Sequence, residues 1–181
     1  MDKTETLIGK YVPDFELPGV DGSVHHLARY LADFRAVGVI FICNHCPYVQ
    51  LYLDRLKQIQ ADFQPQGLTL IGINANDATQ YPEDGFEPMK AFAIAHQLNF
   101  PYLRDVTQEV AQGFGAQKTP EAFLLDQAGI LRYSGGIDDH PQDATAVQTS
   151  YFRDAIVQVL QGETVTLAST EAVGCSLKWQ A

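Results

Sequence analysis

The chain is short of several things at once, and each shortage removes a class of protein. Three cysteines in 181 residues are too few, and odd in number, for the disulfide framework of a small secreted domain. Cations are scarce: 12 Lys and Arg face 22 Asp and Glu, a formal charge of −10 at pH 7. Such a chain lacks the electrostatic footprint of a DNA, RNA or anionic-lipid binder, so neither a nucleic-acid nor a membrane partner is expected. The longest apolar run, Ala36 to Cys43, is eight residues, where a membrane span needs roughly 18 or more. No apolar stretch follows the opening Met-Asp-Lys-Thr-Glu-Thr, so nothing reads as a secretory signal and a cytoplasmic location is expected. Repeats, low-complexity tracts and an interdomain linker are also missing.

What is present suits one α/β domain over 1–181, with 1–10 a flexible N-terminus and 162–181 a tail packed on the domain. Hydrophobic residues are 46% of the chain, enough for a core without disulfide staples. Tyr11 to Val24 reads as a strand, an Asp-Gly turn and a second strand. Leu27 to Phe34 is a short helix. Ala36 to Ile42 and Leu68 to Ile73 are continuous apolar runs that suit strands buried on both faces. Between them Val49, Leu53, Leu56, Ile59 and Phe63 recur at helical spacing from Asn44 to Pro65. A loop over 74–88, helices over 89–98 and 106–114, a hairpin at 122–133 and a helix over 144–160 complete the pattern. Strands alternating with helices, followed by a hairpin, imply a mixed sheet flanked by helices.

The chemistry concentrates at Cys43-Asn-His-Cys46, where a buried strand hands over to a helix. Unpaired N–H groups and the positive end of the dipole at a helix start favour a thiolate, the nucleophile of disulfide exchange. On this reading Cys43, exposed at the helix mouth, attacks, and Cys46, one turn in, resolves the mixed disulfide. His45 between them stabilises the thiolate and raises the potential. Two other readings stand beside this one. The cysteines could be small buried hydrophobes, or zinc ligands with a His or Cys175, although a structural zinc site normally brings a second close pair of ligands.

Strand, C-x-x-C, helix, then Lys118-Thr-Pro-Glu-Ala-Phe-Leu-Leu-Asp126 before a later strand resembles the thioredoxin fold. More narrowly, Val12-Pro-Asp-Phe-Glu-Leu17 with Asp21-Gly22, the loop segments Ile73-Asn-Ala-Asn-Asp77 and Tyr81-Pro-Glu-Asp84, and the tail Gly174-Cys-Ser-Leu-Lys-Trp179 resemble the redoxin branch, the alkyl hydroperoxide reductase and thiol-specific antioxidant superfamily. The likeness is to its peroxiredoxin-like group with a thioredoxin-type C-x-x-C. It implies a central mixed β-sheet in an α/β/α sandwich with an N-terminal β-hairpin. It also implies a cis Thr119–Pro120 bond, with the Thr119 backbone and Pro120 binding a substrate peptide. The peroxiredoxin motif itself is incomplete: with Cys46 as the peroxide-reactive sulfur, Val39 and Cys43 replace its proline and threonine. Val37 stands where thioredoxin keeps a buried acid, and Glu121 is the substitute candidate for that acid/base role.

The expectation is therefore a thiol–disulfide oxidoreductase of Cys43, Cys46, His45 and Glu121, with Thr119 and Pro120 on the substrate side and Cys175 an additional redox candidate. A peroxiredoxin-like thiol peroxidase with antioxidant activity and a non-enzymatic binding or metal-holding module are the alternatives. No metal and no cofactor beyond a redox-active disulfide are expected. The partners are a protein or small-molecule disulfide and a thiol or reductase donor. Asn44→Pro or His45→Pro should shift the potential of the couple, read in glutathione buffers; an unchanged potential in both variants would end the tuning argument.

Overall fold

An apolar run with no polar side has no face to give to water, and Ala-Val-Gly-Val-Ile-Phe becomes β3 (Ala36–Phe41), buried at all six positions. The computed structural model, which describes residues 7–181, sets β3 in the middle of a five-stranded sheet. On one side β3 runs parallel to β4 (Leu68–Asn74), which runs parallel to β5 (Tyr102–Arg104). On the other it is antiparallel to β7 (Glu121–Asp126), which is antiparallel to β8 (Leu131–Gly135).

Alternation along the strands divides the core into two layers. Ile40, Leu70, Ala122 and Leu124 face α2 (Pro47–Phe63), α3 (Phe86–Ala95) and α5 (Tyr151–Leu160). Val39, Phe41, Ile71, Phe123 and Leu125 face the hairpin of β1 (Glu16–Pro18) and β2 (Val24–His26), with α1 (Leu27–Asp33) and α4 (Glu109–Phe114). On that second face Phe41, Phe114 and Phe123 meet edge to face, with centroids 5.4 to 5.8 Å apart. Gly38 leaves room for its neighbours: an added Cβ would sit 2.6 Å from Leu70 Cδ2 on β4 and 3.0 Å from the Phe152 ring of α5. This thioredoxin-like sandwich with its N-terminal hairpin is the architecture that the motifs imply. No helix among the described residues is long and apolar enough to cross a membrane.

Several boundaries differ from the sequence reading, each for a local reason. The helix expected over 144–160 is a 3₁₀ turn at Ala144–Ala146 followed by α5. Asp143 takes the Thr145 N–H and Asp139 takes the Gln148 N–H, and these side-chain bonds compete with helix formation. The helix expected from Val106 starts at Glu109, because Gln108 lies in the left-handed region at φ 65°. β5 went unread; it is only three residues long. Of the expected flexible N-terminus, residues 1–6 lie outside the described residues. Residues 7–10 are held against β8: Gly9 N–H donates to Leu131 O, and Leu131 N–H to Lys10 O. At the other end, Gly162 stops α5 in the left-handed conformation, φ 74°.

Phe152 is fully buried, whereas Val157 on the same helix is 36% exposed. Phe152→Ala should therefore cost about 3–5 kcal/mol in denaturant unfolding. Val157→Ala should stay within about 0.5 kcal/mol.

A candidate active site at the start of α2

The end of β3 and the start of α2 are joined by Ile42-Cys-Asn-His-Cys46. Pro47, which lacks an N–H, occupies the first helical position, where that donor is not needed. The helix therefore starts one residue after Cys46, which is its N-cap, not at Asn44. The difference moves both sulfurs. Cys46, expected one turn in, sits at the positive helix end. Cys43, expected to be the exposed thiol, lies in the preceding loop and is only 1% exposed.

The bonded pair also differs from the C-x-x-C ring. Cys46 is disulfide-linked to Cys175, with Cα atoms 6.3 Å apart, and Cys43 is the free thiol. Cys175 arrives on β9 (Cys175–Ser176), which pairs antiparallel with β6 (Lys118–Thr119), Thr119 opposite Cys175. The Thr119–Pro120 peptide bond is cis. Thr119 lies against both cysteines of the loop: its Oγ1 is 3.4 Å from Cys43 Sγ, and its carbonyl oxygen is 3.3 Å from Cys46 Sγ.

Behind the loop lies a polar network that the sequence reading missed. Asp84 has no solvent exposure. Its Oδ1 accepts from the Asn44 backbone N–H at 2.8 Å and from Asn74 Nδ2 at 3.1 Å; its Oδ2 accepts from Asn76 Nδ2 at 3.1 Å. His45 Nδ1 is 2.8 Å from Oδ2, an ion-pair approach without hydrogen-bond alignment, and the imidazole stacks on Tyr81 at 6°. Tyr102 donates its hydroxyl proton to Asn44 Oδ1 at 2.7 Å. Buried Arg104 donates to the carbonyls of Asn74 and Asn76. The available signal was polar residues directly after a fully buried strand. Turn chemistry accounts for Asp77, which accepts the Thr79 N–H, but not for Asn76.

One expected role changes. Glu121, the acid/base candidate, is buried and takes the backbone N–H groups of Gln117 and Lys118 at 2.8 and 3.0 Å. These bonds brace the cis-proline loop. In the tail, Trp179 is 39% exposed and Leu177, at 3%, is the anchor.

Electrostatics separates the two loop cysteines. Burial pushes the Cys43 thiol above its ordinary range and the negative charge of Asp84 adds to the rise, while the Thr119 hydroxyl opposes it. The low-pKa thiolate expected at Cys43 is thus overridden by desolvation. Burial also pushes Tyr102 well up, keeping its hydroxyl a donor, and lowers Arg104 against the opposing pull of Asp84. Cys43, His45 and Asp84 each bring a donor atom, all within 4.8 Å of one another, so these three could hold a metal ion. The zinc set considered from sequence could not form here, since Cys46 and Cys175 are joined to each other.

Asp84→Asn puts an NH₂ among N–H donors and should cost about 1–3 kcal/mol of stability. With Cys43 the single free thiol of the oxidised protein, its titration can be followed by thiolate absorbance. Removing the Asp84 charge should move the midpoint to lower pH; an unmoved or higher midpoint would refute the coupling.

The chain is similar to known proteins over most of its length. A solved structure of a hypothetical protein from Sinorhizobium meliloti 1021 is 38% identical, with a TM-score of 0.89, covering 96% of this chain and 95% of that one. The thiol:disulfide interchange protein DsbE of Escherichia coli (strain K12) is 31% identical over 143 residues, 75% of this chain and 69% of that protein. Peroxiredoxin-2 of Mus musculus is 27% identical over 141 residues, 69% of this chain and 67% of that protein. Residues 8–134, which hold the Cys43–Cys46 loop, Asp84 and the cis-proline, match the AhpC/TSA family, and the chain belongs to that family.

Proposed function

We propose that the protein is a thiol–disulfide oxidoreductase in which Cys46 is the exchange sulfur and Cys43 and Cys175 are its alternative partners. The observation that carries this reading is the Cys46–Cys175 disulfide at a helix N-cap, with a third, unbonded cysteine in the same loop. Once reduced, Cys46 is the sulfur that the end of α2 favours as thiolate. Within the chain, the Cys43 thiolate attacks Cys46 Sγ, a Cys43–Cys46 disulfide forms, and Cys175 leaves as thiolate. One disulfide and one thiol stand on each side of that step, so it requires no outside oxidant. The raised Cys43 pKa leaves few thiolates to attack Cys46 and so slows this exchange.

In this reading an external disulfide is reduced at Cys46, and a thiol or a reductase returns the electrons. Cysteine sulfur is the only redox group required. A cytoplasmic setting suits the acidic composition and the odd cysteine count, since thiols are kept reduced there. The peroxidase reading keeps one supporting observation: Cys46 is bonded to a distant C-terminal cysteine, the product that a peroxide-oxidised Cys46 and a resolving Cys175 would leave. Val39 and Cys43, where the peroxidase motif has proline and threonine, weigh against it.

A redox titration in glutathione buffers, with alkylation and peptide mass mapping, tests the assignment. Cys46→Ser should abolish both internal disulfides and reduce exchange with a protein disulfide to background. Cys175→Ser should move the disulfide to Cys43–Cys46. Full exchange activity in Cys46→Ser would overturn the reading, and rapid consumption of hydrogen peroxide by the parent protein but not by Cys46→Ser would favour the peroxidase.

A further inference from the structure

We propose that the C-terminal strand is a built-in copy of the segment this protein recognises in its partner: an extended peptide with glycine directly before its cysteine and a bulky aliphatic residue two positions after it. The inference rests on Cys46 being the exchange sulfur, and it names the partner's chemistry.

The tail lies in a groove that reads main chain from both sides. On one side β9 pairs with β6, and the Leu177 N–H donates to Gln117 O at 2.9 Å. On the other, the Lys178 N–H donates to Asn76 Oδ1 at 2.9 Å, and Lys178 O accepts from Asp77 N at 2.8 Å and from Gln108 Nε2 at 2.9 Å. Backbone bonds of this kind hold any extended peptide and select none.

Selection comes from three side-chain positions. Cys175 reaches Cys46. Gly174 passes so close to the cis-proline loop that an added Cβ would lie 2.2 Å from Thr119 O and 2.7 Å from Thr119 C. Both are backbone atoms, and neither can swing aside as a side chain tip can. Leu177, 3% exposed, packs into the core layer on the hairpin face. Ser176 and Val173 are exposed, so those positions are free. The groove thus reads Gly-Cys-x-Leu.

The tail and the partner compete for this one groove, which gives the competition a chemical direction. With the tail displaced and Cys175 reduced, the Cys46 thiolate attacks the partner's disulfide at the glycine-preceded cysteine. A Cys46–partner disulfide forms and the partner's other sulfur leaves as thiolate. When the tail returns, the Cys175 thiolate attacks Cys46 Sγ, and the partner's cysteine leaves as the second thiolate. The partner's disulfide becomes two thiols and the protein's two thiols become Cys46–Cys175, so the electrons balance. The segment that resolves the mixed disulfide also reoccupies the site and expels the product.

The test uses the full-length protein carrying both Cys43→Ser and Cys175→Ser, reduced, and three peptides presented as mixed disulfides with glutathione: Val-Gly-Cys-Ser-Leu-Lys, its Ala-for-Gly version and its Asp-for-Leu version. Cys46–peptide adducts are followed by intact mass. The parent peptide should form its adduct about tenfold faster than either altered one. Equal rates would overturn the inference. So would no peptide adduct at all while glutathione disulfide alone still modifies Cys46, an outcome that leaves the exchange reading standing. Failure of glutathione disulfide as well would bring down both. In the chain with all three cysteines, Gly174→Ala should shift the disulfide from Cys46–Cys175 toward Cys43–Cys46 by a similar factor, and an unchanged ratio would count against the steric argument.

Discussion

The loop that carries Cys43 and Cys46 is held by a carboxylate with no access to water. An ionised Asp84 in that position is tolerable only when donors surround it, and the donors come from three places in the chain: the Asn44 backbone, Asn74 at the end of β4, and Asn76 just beyond it. Those bonds hold the loop, and Pro47, which drives the residue before it into extended conformation (Cys46, φ −75°, ψ 125°), starts α2. Cys46 is thereby the N-cap. Pro47 thus decides which sulfur caps the helix, and burial, with the Asp84 charge adding to it, raises the pKa of the other.

Thr119 is where the two halves of the site meet. Its hydroxyl faces Cys43, its carbonyl faces Cys46, and its backbone pairs with the strand carrying Cys175. Glu121 and the cis bond fix the loop in which Thr119 sits. The sulfur atoms are therefore enclosed by rigid backbone from β3, from the start of β7 and from the tail. In this closed form Cys46 and Cys43 are 0% and 1% exposed. The open clefts lie elsewhere, such as one of about 560 Å³ between the hairpin and α4, so access to Cys46 has to come from movement of the tail.

Much of this was legible in the residues. Continuous apolar runs located β3 and β4, helical spacing located α2, and the Thr-Pro before β7 pointed to the cis bond. The shortfalls have physical causes. The helix starts after Cys46 because the residue before a proline is driven into extended conformation, whereas the bond between Asn44 and a residue 40 positions away follows no local pattern. Glu121 read as an acid/base candidate because the backbone N–H groups it accepts from are invisible to a reading of side chains. Asn76 shares its residue type with ordinary turn formers and differs from them only in what lies behind it. Cys175 sits in a two-residue strand, too short to carry a period, so its proximity to Cys46 exists only in three dimensions.

The Cys46–Cys175 bond spans 129 positions and makes a covalent ring of most of the molecule. β4, β5, β7, β8, α3, α4 and α5 lie inside that ring, while the central strand β3 and the hairpin lie outside it. In the chain-entropy account a loop of this size restricts the unfolded ensemble by about 4–5 kcal/mol. Transfer of Cys46 to Cys43 contracts the ring to four residues, and most of that restriction is released. A protease nick in a loop such as 77–81 would leave the ringed form in one piece and let the contracted form come apart, so the choice of sulfur partner also sets how the chain withstands being cut.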